Sequence, residues 1–242
     1  MFPQTGIYYV TAKSFPRATL YNRTDWHSFQ GLNRCANCLT AHPRAPNRYG
    51  GFTGGSKGFQ IQNESCDCIK YLKLGEGCNG RTTAFDDPTE LWKNGLPYLK
   101  PCLNTYKPID IVILMLGTND LNNSFNVSAK EIAEGAGKLV DVITEFTSDK
   151  QGFIPKIILV SPPEIGERIK SSPFSEKYDE DAIESSRSFP EYYKKIAEDK
   201  DCIFLKASDY AEPSKEDSLH LSPDGHKALA EALYKTIISN NC

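Results

Sequence analysis

The sequence lacks the charge pattern of proteins that bind polyanions. Its 28 basic and 31 acidic residues nearly cancel to a formal net charge of −3, and neither lysine nor arginine forms a run. Proteins that bind duplex nucleic acid or an anionic membrane concentrate positive charge on one surface. We therefore predict no nucleic-acid partner and no membrane partner, and we expect a small-molecule ligand.

Long hydrophobic runs are also missing. The longest apolar stretch, 109–116, is far too short to cross a bilayer, and the first 20 residues lack the basic start and long apolar stretch of a signal peptide. These observations predict a soluble, cytoplasmic protein. With 242 residues, 39% hydrophobic content, no internal repeat and no low-complexity linker, the chain is expected to form a single domain over 1–242.

From residue 71 onward the chain alternates between strand and helix patterns. The stretch 109–116 is an almost continuous apolar run, as a strand of a parallel sheet covered on both faces must be. Two further strands are predicted at 156–163, which two prolines close, and at 202–207. Helices are predicted after a capping box at Ser128 and Glu131, after a second capping box at Ser188, and after Ser222 as N-cap with Pro223 in the first turn. The prediction is an α/β fold with a doubly wound, mostly parallel sheet in three layers, as in flavodoxin-like proteins.

Residues 1–70 are atypical. The segment 6–13, GIYYVTAK, can form a first strand, but 16–62 is crowded with Arg, Asn, Gly, Pro and Cys and shows little periodicity, so poor order is expected there. If codons for GIYYVTA are read in a frame that starts two bases later, they can encode the peptide Ile-Leu-Cys-Tyr-Gly. A second interpretation is therefore that the N-terminal third is an out-of-register translation.

Polar residues follow the predicted strands at the edge where open parallel sheets bind ligands. Asp217 can orient the ring of His220, which suits a general base, and the Asn119 amide and the Gly80 N–H can stabilise an oxyanion. Taken separately, Asp217 and His220 also fit a capping or surface pair, and the segment containing Asn119 fits a simple turn.

The segments EGCNGRTT, MLGTND and DSLHLSPDGH, in this order on an α/β chain, resemble the SGNH (GDSL-type) hydrolase family, and particularly its arylesterase and acyl-esterase members. The resemblance runs from about Gly75 to the C-terminus. It implies an SGNH-hydrolase-like fold and a carboxylic ester hydrolase that works through an acyl-enzyme, without a metal or organic cofactor, on a small-molecule ester. It also implies that Gly80 and Asn119 form the oxyanion hole and that Asp217 and His220 are the acid and base.

The chain departs from this family in one respect, because it contains no Gly-Asp-Ser tripeptide for the nucleophile. Ser14 follows the predicted first strand and is the favoured candidate. Ser56 lies in GGSKG but lacks a preceding strand, and Ser65 has neither feature. The missing block leaves a second function open, namely a catalytically inactive protein of the same fold that binds an acyl or sugar ligand.

The eight cysteines suggest a third possibility. Cys35 and Cys38 form a C-x-x-C, and Cys66 and Cys68 form a C-x-C, so four thiolates can in principle hold a structural zinc. The second spacing is not that of a zinc ribbon or finger, which favours unrelated thiols. Cys78, beside Gly80, is expected to border the site.

Overall fold

Five strands form one sheet in the computed structural model, which describes residues 6–12 and 71–240. The strands are β1 (Gly6–Ala12), β2 (Tyr71–Gly77), β3 (Ile111–Met115), β4 (Lys156–Ser161) and β5 (Ile203–Lys206), in the spatial order β2-β1-β3-β4-β5. The pairs β3–β4 and β4–β5 are parallel. The α/β fold class and the three strands predicted from apolar runs are confirmed.

Helices cover both faces of the sheet within the described residues. They are α1 (Gly95–Tyr106), α2 (Ala129–Gln151), α3 (Glu180–Asp199) and α4 (Pro223–Ser239). Val112 and Leu114 of β3 point into a core shared with α1, α2 and α3, whereas Ile111, Ile113 and Met115 point into a second core with α4. Successive strand residues face opposite sides, so a strand buried on both sides must be apolar throughout.

Two of the three predicted helix starts are confirmed. The Ser128–Glu131 capping box begins α2, and Ser222 caps α4, whose first residue is Pro223. The prediction that a helix starts after Ser188 is wrong, because α3 begins nine residues earlier with Asp179 as its N-cap. The Ser188 hydroxyl instead donates to the carbonyls of Glu184 and Ser185 inside the helix, a bond that serine makes as readily as a cap.

The first strand runs against its neighbours. β1 is antiparallel to both β2 and β3, and Gly6 lies opposite Gly77 and Met115. The carboxyl ends of β2, β3, β4 and β5 therefore share one edge of the sheet, whereas Ala12, which ends β1 and pairs with Tyr71, lies at the opposite edge. A doubly wound sheet would have a parallel first strand, whereas the first strand of the described residues is antiparallel to both of its neighbours.

Candidate active site

His220 and Asp217 form a hydrogen-bonded pair in the loop between β5 and α4. The ring nitrogen Nδ1 of His220 lies 2.6 Å from Oδ2 of Asp217. The other carboxylate oxygen, Oδ1, accepts bonds from the backbone N–H of His220 at 2.8 Å, from the backbone N–H of Leu219 at 3.0 Å and from the Ser214 hydroxyl at 2.9 Å. These contacts fix the carboxylate and the imidazole relative to each other.

The environment of Asp217 keeps its carboxylate ionised. Burial raises the pKa of Asp217, but the hydrogen bonds from His220, Leu219 and Ser214 outweigh burial, so this pKa lies below its usual value. An ionised Oδ2 accepts the proton on Nδ1, which leaves the lone pair of His220 on Nε2. The ring is also held from the side by Phe174, which packs edge-on with ring centroids 5.4 Å apart.

The loop bends sharply to bring the pair together. Ser218, between Asp217 and Leu219, has a φ of +59°, in the left-handed region that non-glycine residues rarely adopt. Its carbonyl accepts a bond of 2.8 Å from the N–H of Gly166 in the loop after β4, and the N–H of Ser214 donates to the His220 carbonyl at 2.6 Å. The turn at Ser218 allows the side chain of Asp217 to receive the backbone N–H groups that follow it.

Asn119 and Gly80 follow β3 and β2 at the same edge of the sheet. The side-chain Nδ2 of Asn119 donates to the carbonyl of Arg81 at 2.8 Å, which orients the amide. Gly80 has a φ of +75°, and a Cβ at this position would lie 2.9 Å from Cε of Lys93, so glycine suits both the backbone angle and the space. The Arg81 guanidinium stacks over the Tyr98 ring, with Cζ 3.9 Å from the centroid, and anchors this segment.

One cavity of about 310 Å³ joins these elements. Gly80, Asn119 and His220 line it together, and Asp217 lies behind His220. Its size suits a small molecule, because ligand pockets begin at about 300 Å³. The remaining wall includes two phenylalanines and several polar side chains. Its residues are Cys78, Asn79, Asp87, Lys93, Thr118, Asn122, Phe125, Phe174, Lys177, Tyr178 and Leu219.

The cavity wall carries more positive than negative charge. Lys93 pairs with Glu90 and lies 3.6 Å from Asp87, whereas Lys177 has no ion pair with any described residue. The hydrogen bond to Glu90 raises the pKa of Lys93, so its ammonium group stays protonated beside Gly80. Lys93 was not singled out from the sequence, because only the fold brings it against Gly80.

Ser14, the predicted nucleophile, lies outside the described residues, as do Ser56 and Ser65. The strand before Ser14 ends at the sheet edge opposite the one that holds Asn119, so the direction of β1 lends Ser14 no support. Its role stays a prediction. No serine is among the described residues that line the cavity.

The remaining predictions concern cysteines and histidines. Cys78 lines the cavity as expected. Cys35, Cys38, Cys66 and Cys68 lie outside the described residues, so the zinc hypothesis also stays a prediction. Over 6–12 and 71–240, no group of three or more metal-binding side chains comes together. His226 is half-buried in α4, and burial lowers its pKa.

In the same part of the chain, none of the helices is both long and apolar enough to span a bilayer.

Comparison with known proteins assigns the family. The model of the GDSL-like lipase/acylhydrolase family matches residues 49–228, about three quarters of the chain. No curated protein matches the chain closely enough to count as a relative.

Solved structures agree with this assignment. Est24, a carbohydrate acetylesterase from Sinorhizobium meliloti, is 31% identical over 69% of this chain and 78% of its own, with a TM-score of 0.64. The aryl esterase of M. smegmatis is 30% identical over 69% of this chain and 77% of its own, with a TM-score of 0.64. Together with the sequence motifs, these matches show that the chain belongs to the GDSL-like lipase/acylhydrolase family, the SGNH hydrolases.

Proposed function

We propose that the protein hydrolyses carboxylic esters of small substrates by forming an acyl-enzyme on a serine. The observation that carries this proposal is the convergence of His220, Asn119 and Gly80 on one cavity, with Asp217 bonded behind His220. A base, its orienting acid and two oxyanion donors around one space are the groups that acyl transfer needs.

His220 acts as general base and then as general acid. Its Nε2 takes the proton from the serine hydroxyl as the oxygen attacks the ester carbonyl, and Asp217 stabilises the imidazolium that forms. When the tetrahedral intermediate collapses, Nε2 gives this proton to the leaving alcohol. Water, activated by the same nitrogen, then cleaves the acyl-enzyme. Proton transfer of this kind contributes about 10²–10⁴-fold to rate.

Asn119 and Gly80 stabilise the negative oxygen of the intermediate. The Asn119 amide, held through its bond to the Arg81 carbonyl, lines the cavity together with Gly80, whose backbone N–H is the second donor. The ammonium group of Lys93 beside Gly80 adds favourable electrostatic potential. Removing one such donor costs on the order of 10²–10³-fold in turnover.

The substrate we propose is a short-chain acyl ester of a sugar or a phenol. A carbohydrate acetylesterase and an aryl esterase are among the solved structures that this chain resembles. The cavity supports such a substrate, because Phe125 and Phe174 offer apolar surface and Asn79 and Asn122 offer hydrogen bonds to hydroxyl groups. The candidates for the nucleophile are Ser14, Ser56 and Ser65. Ser14 follows β1, but the direction of β1 does not favour it.

A fluorophosphonate probe tests the proposal, because only an activated serine reacts with it. The wild-type protein should be labelled and should hydrolyse short p-nitrophenyl esters, and peptide mapping of the adduct should identify the serine. His220→Ala should abolish both the labelling and the hydrolysis while the circular dichroism spectrum stays unchanged. Wild-type turnover in His220→Ala would remove His220 from the mechanism.

A second function is a non-catalytic protein of the same fold. The absence of a Gly-Asp-Ser tripeptide favours it. In that case the wild-type protein would resist the fluorophosphonate, yet a short acyl ester of a sugar would bind in the cavity and would protect Cys78 from alkylation. Labelling and ligand protection therefore separate the two functions.

A further inference from the structure

Asp120 is a buried carboxylate that the proposed mechanism does not use. It directly follows Asn119 and is 1% exposed. Its Oδ1 accepts bonds from the backbone N–H of Thr83 at 2.9 Å and from the Thr83 hydroxyl at 2.7 Å, and its Oδ2 lies 3.1 Å from the same N–H. Burying a carboxylate is costly even with such bonds, and buried ionisable groups are common at functional sites.

These bonds join the two segments that carry the oxyanion donors. Thr83 lies three residues after Gly80, and Asp120 lies next to Asn119. The bond from Asn119 Nδ2 to the Arg81 carbonyl links the same two segments a second time. The segments are separated by more than 30 residues in sequence, so these contacts set the distance between the Gly80 N–H and the Asn119 amide.

The position of Thr83 is itself constrained. A Cβ at Gly135 of α2 would lie 2.5 Å from the Thr83 hydroxyl, so this glycine provides the space that the hydroxyl occupies. On the other segment, a Cβ at Gly117 would overlap the Tyr193 hydroxyl, which donates to the Leu116 carbonyl at 2.6 Å. Both partners of the Asp120–Thr83 contact are thus packed against helices.

We propose that Asp120 is a positioning residue for the oxyanion hole, holding Thr83 so that the Gly80 N–H and the Asn119 amide face the same oxygen. The inference rests on the proposed ester hydrolysis. An error of about 1 Å in such an arrangement can cost roughly 100-fold in rate. A residue with this role affects the transition state, where the oxygen is charged, more than it affects the bound ester.

Asp120→Asn is the most direct variant. The new side chain keeps one acceptor oxygen for Thr83 but places an NH₂ group where the second oxygen faced the Thr83 N–H. We expect kcat to fall by about 10-fold and KM to change by less than about threefold. Ile143→Val in the core of α2 is the control for general loss of packing, and it should lower the melting temperature without lowering kcat.

A double-mutant cycle with Asn119→Ala gives the decisive readout. If Asp120 acts through the oxyanion donors, Asp120→Asn should cost about 10-fold in the wild-type background but less than about twofold in the Asn119→Ala background. Equal losses in both backgrounds would show that Asp120 stabilises the fold only and would overturn the proposal. If Asp120→Asn does not fold, Thr83→Val, which removes one of the bonds, replaces it in the same cycle.

The failure of this inference is distinguishable from the failure of the proposed function. If His220→Ala loses turnover but the effects of Asp120→Asn and Asn119→Ala on kcat are additive, only the role of Asp120 is overturned. Turnover that persists in His220→Ala, or a wild-type protein without turnover or labelling, overturns the hydrolase mechanism, and the role of Asp120 in it is overturned as well.

Discussion

The loop after β3 and the loop before α4 each carry a buried aspartate, and the pKa values of the two carboxyl groups are shifted in opposite directions. Asp120 is 1% exposed and Asp217 is 7% exposed. Burial raises the pKa of Asp120 to about 7, although the bonds from Thr83 oppose this shift. For Asp217, hydrogen bonds from two backbone N–H groups and two side chains outweigh burial, and the pKa is lowered. Burial therefore outweighs the hydrogen bonds at Asp120, whereas the hydrogen bonds outweigh burial at Asp217.

This difference matches the two roles. A carboxylate that must stabilise an imidazolium has to be ionised throughout the working pH range, and Asp217 meets this condition. A carboxylate that only joins two segments can accept hydrogen bonds in either protonation state, and Asp120 accepts such bonds from the N–H and the hydroxyl of Thr83. Burial, with a smaller contribution from Asp120, raises the pKa values of Tyr178 and Tyr193.

The largest expected difference between the two aspartates is in turnover. Asp217→Asn places an NH₂ group against Nδ1 of His220 and favours the tautomer with its proton on Nε2, which cannot act as a base. We expect kcat for p-nitrophenyl acetate to fall by about 10⁴-fold, against about 10-fold for Asp120→Asn. Steady-state kinetics of both variants measures the contrast, and similar losses would contradict it.

The dependence of stability on pH should have opposite signs for the two residues. Because the folded-state pKa of Asp120 is raised above its unfolded value of 3.8, the folded protein binds more protons than the unfolded chain, and stability falls as pH rises toward 7. The folded-state pKa of Asp217 is lowered, so its contribution is present above pH 3.8 and is lost as pH falls below that value.

Urea unfolding of wild-type protein and of Asp120→Asn measures the first effect. The variant cannot ionise at this position, so the stability advantage of the wild type over it should shrink by up to roughly 4 kcal/mol between about pH 4 and pH 8. Asp217→Asn is the matched control, and its deficit should stay constant over this range. Parallel curves for wild-type protein and Asp120→Asn would show that Asp120 does not titrate there.

Substitution of Asn119, the residue beside Asp120, should lower turnover by less than Asp217→Asn does. Asn119→Ala removes the amide that bonds to the Arg81 carbonyl and should lower kcat by about 10²–10³-fold with little change in KM. An oxyanion donor acts on the transition state, so the loss should fall on turnover. A change confined to KM, measured with the same ester, would instead assign Asn119 to substrate binding.

The sequence predicts the residues that line the site better than the residues that hold them in position. Asn119, Asp217 and His220 follow strands that apolar runs locate. The strand before Gly80, YLKLGEG, has no such run, and Gly80 was identified from the resemblance of EGCNGRTT to the family motif. Asp120 follows Asn119 directly, yet its role depends on Thr83, which no local pattern connects to it. The direction of β1 is equally hidden, because the segment GIYYVTA does not itself specify which way the neighbouring strands run.

The wrong helix start at Ser188 has a similar cause. Serine followed three residues later by glutamate satisfies the local capping pattern, but the upstream residues from Asp179 form a stronger start, with an acidic first turn. The turn at Ser218 was not predicted either, since its backbone angle is set by the bonds that the Asp217 carboxylate accepts from later N–H groups and by the bond from Gly166 N–H to the Ser218 carbonyl.

Substitution of Ser218 should give the smallest effect, and Ser218 marks a further difference between the loops that carry Asp120 and Asp217. At the bend before Asn119 the chain uses Gly117, with a φ of +132°, whereas the loop of Asp217 places Ser218 at a φ of +59°. A non-glycine residue in the left-handed region costs about 1 kcal/mol, so Ser218→Gly should raise the free energy of unfolding by roughly 0.5–1 kcal/mol. Ser218→Ala, which keeps the Cβ, is the matched control and should give no gain in stability.

Since the bonds of Asp217 to His220 involve no atom of the Ser218 side chain, turnover of Ser218→Gly should stay within about threefold of wild type. A loss of stability in Ser218→Gly would mean that packing of this side chain against Gly166 outweighs the backbone strain.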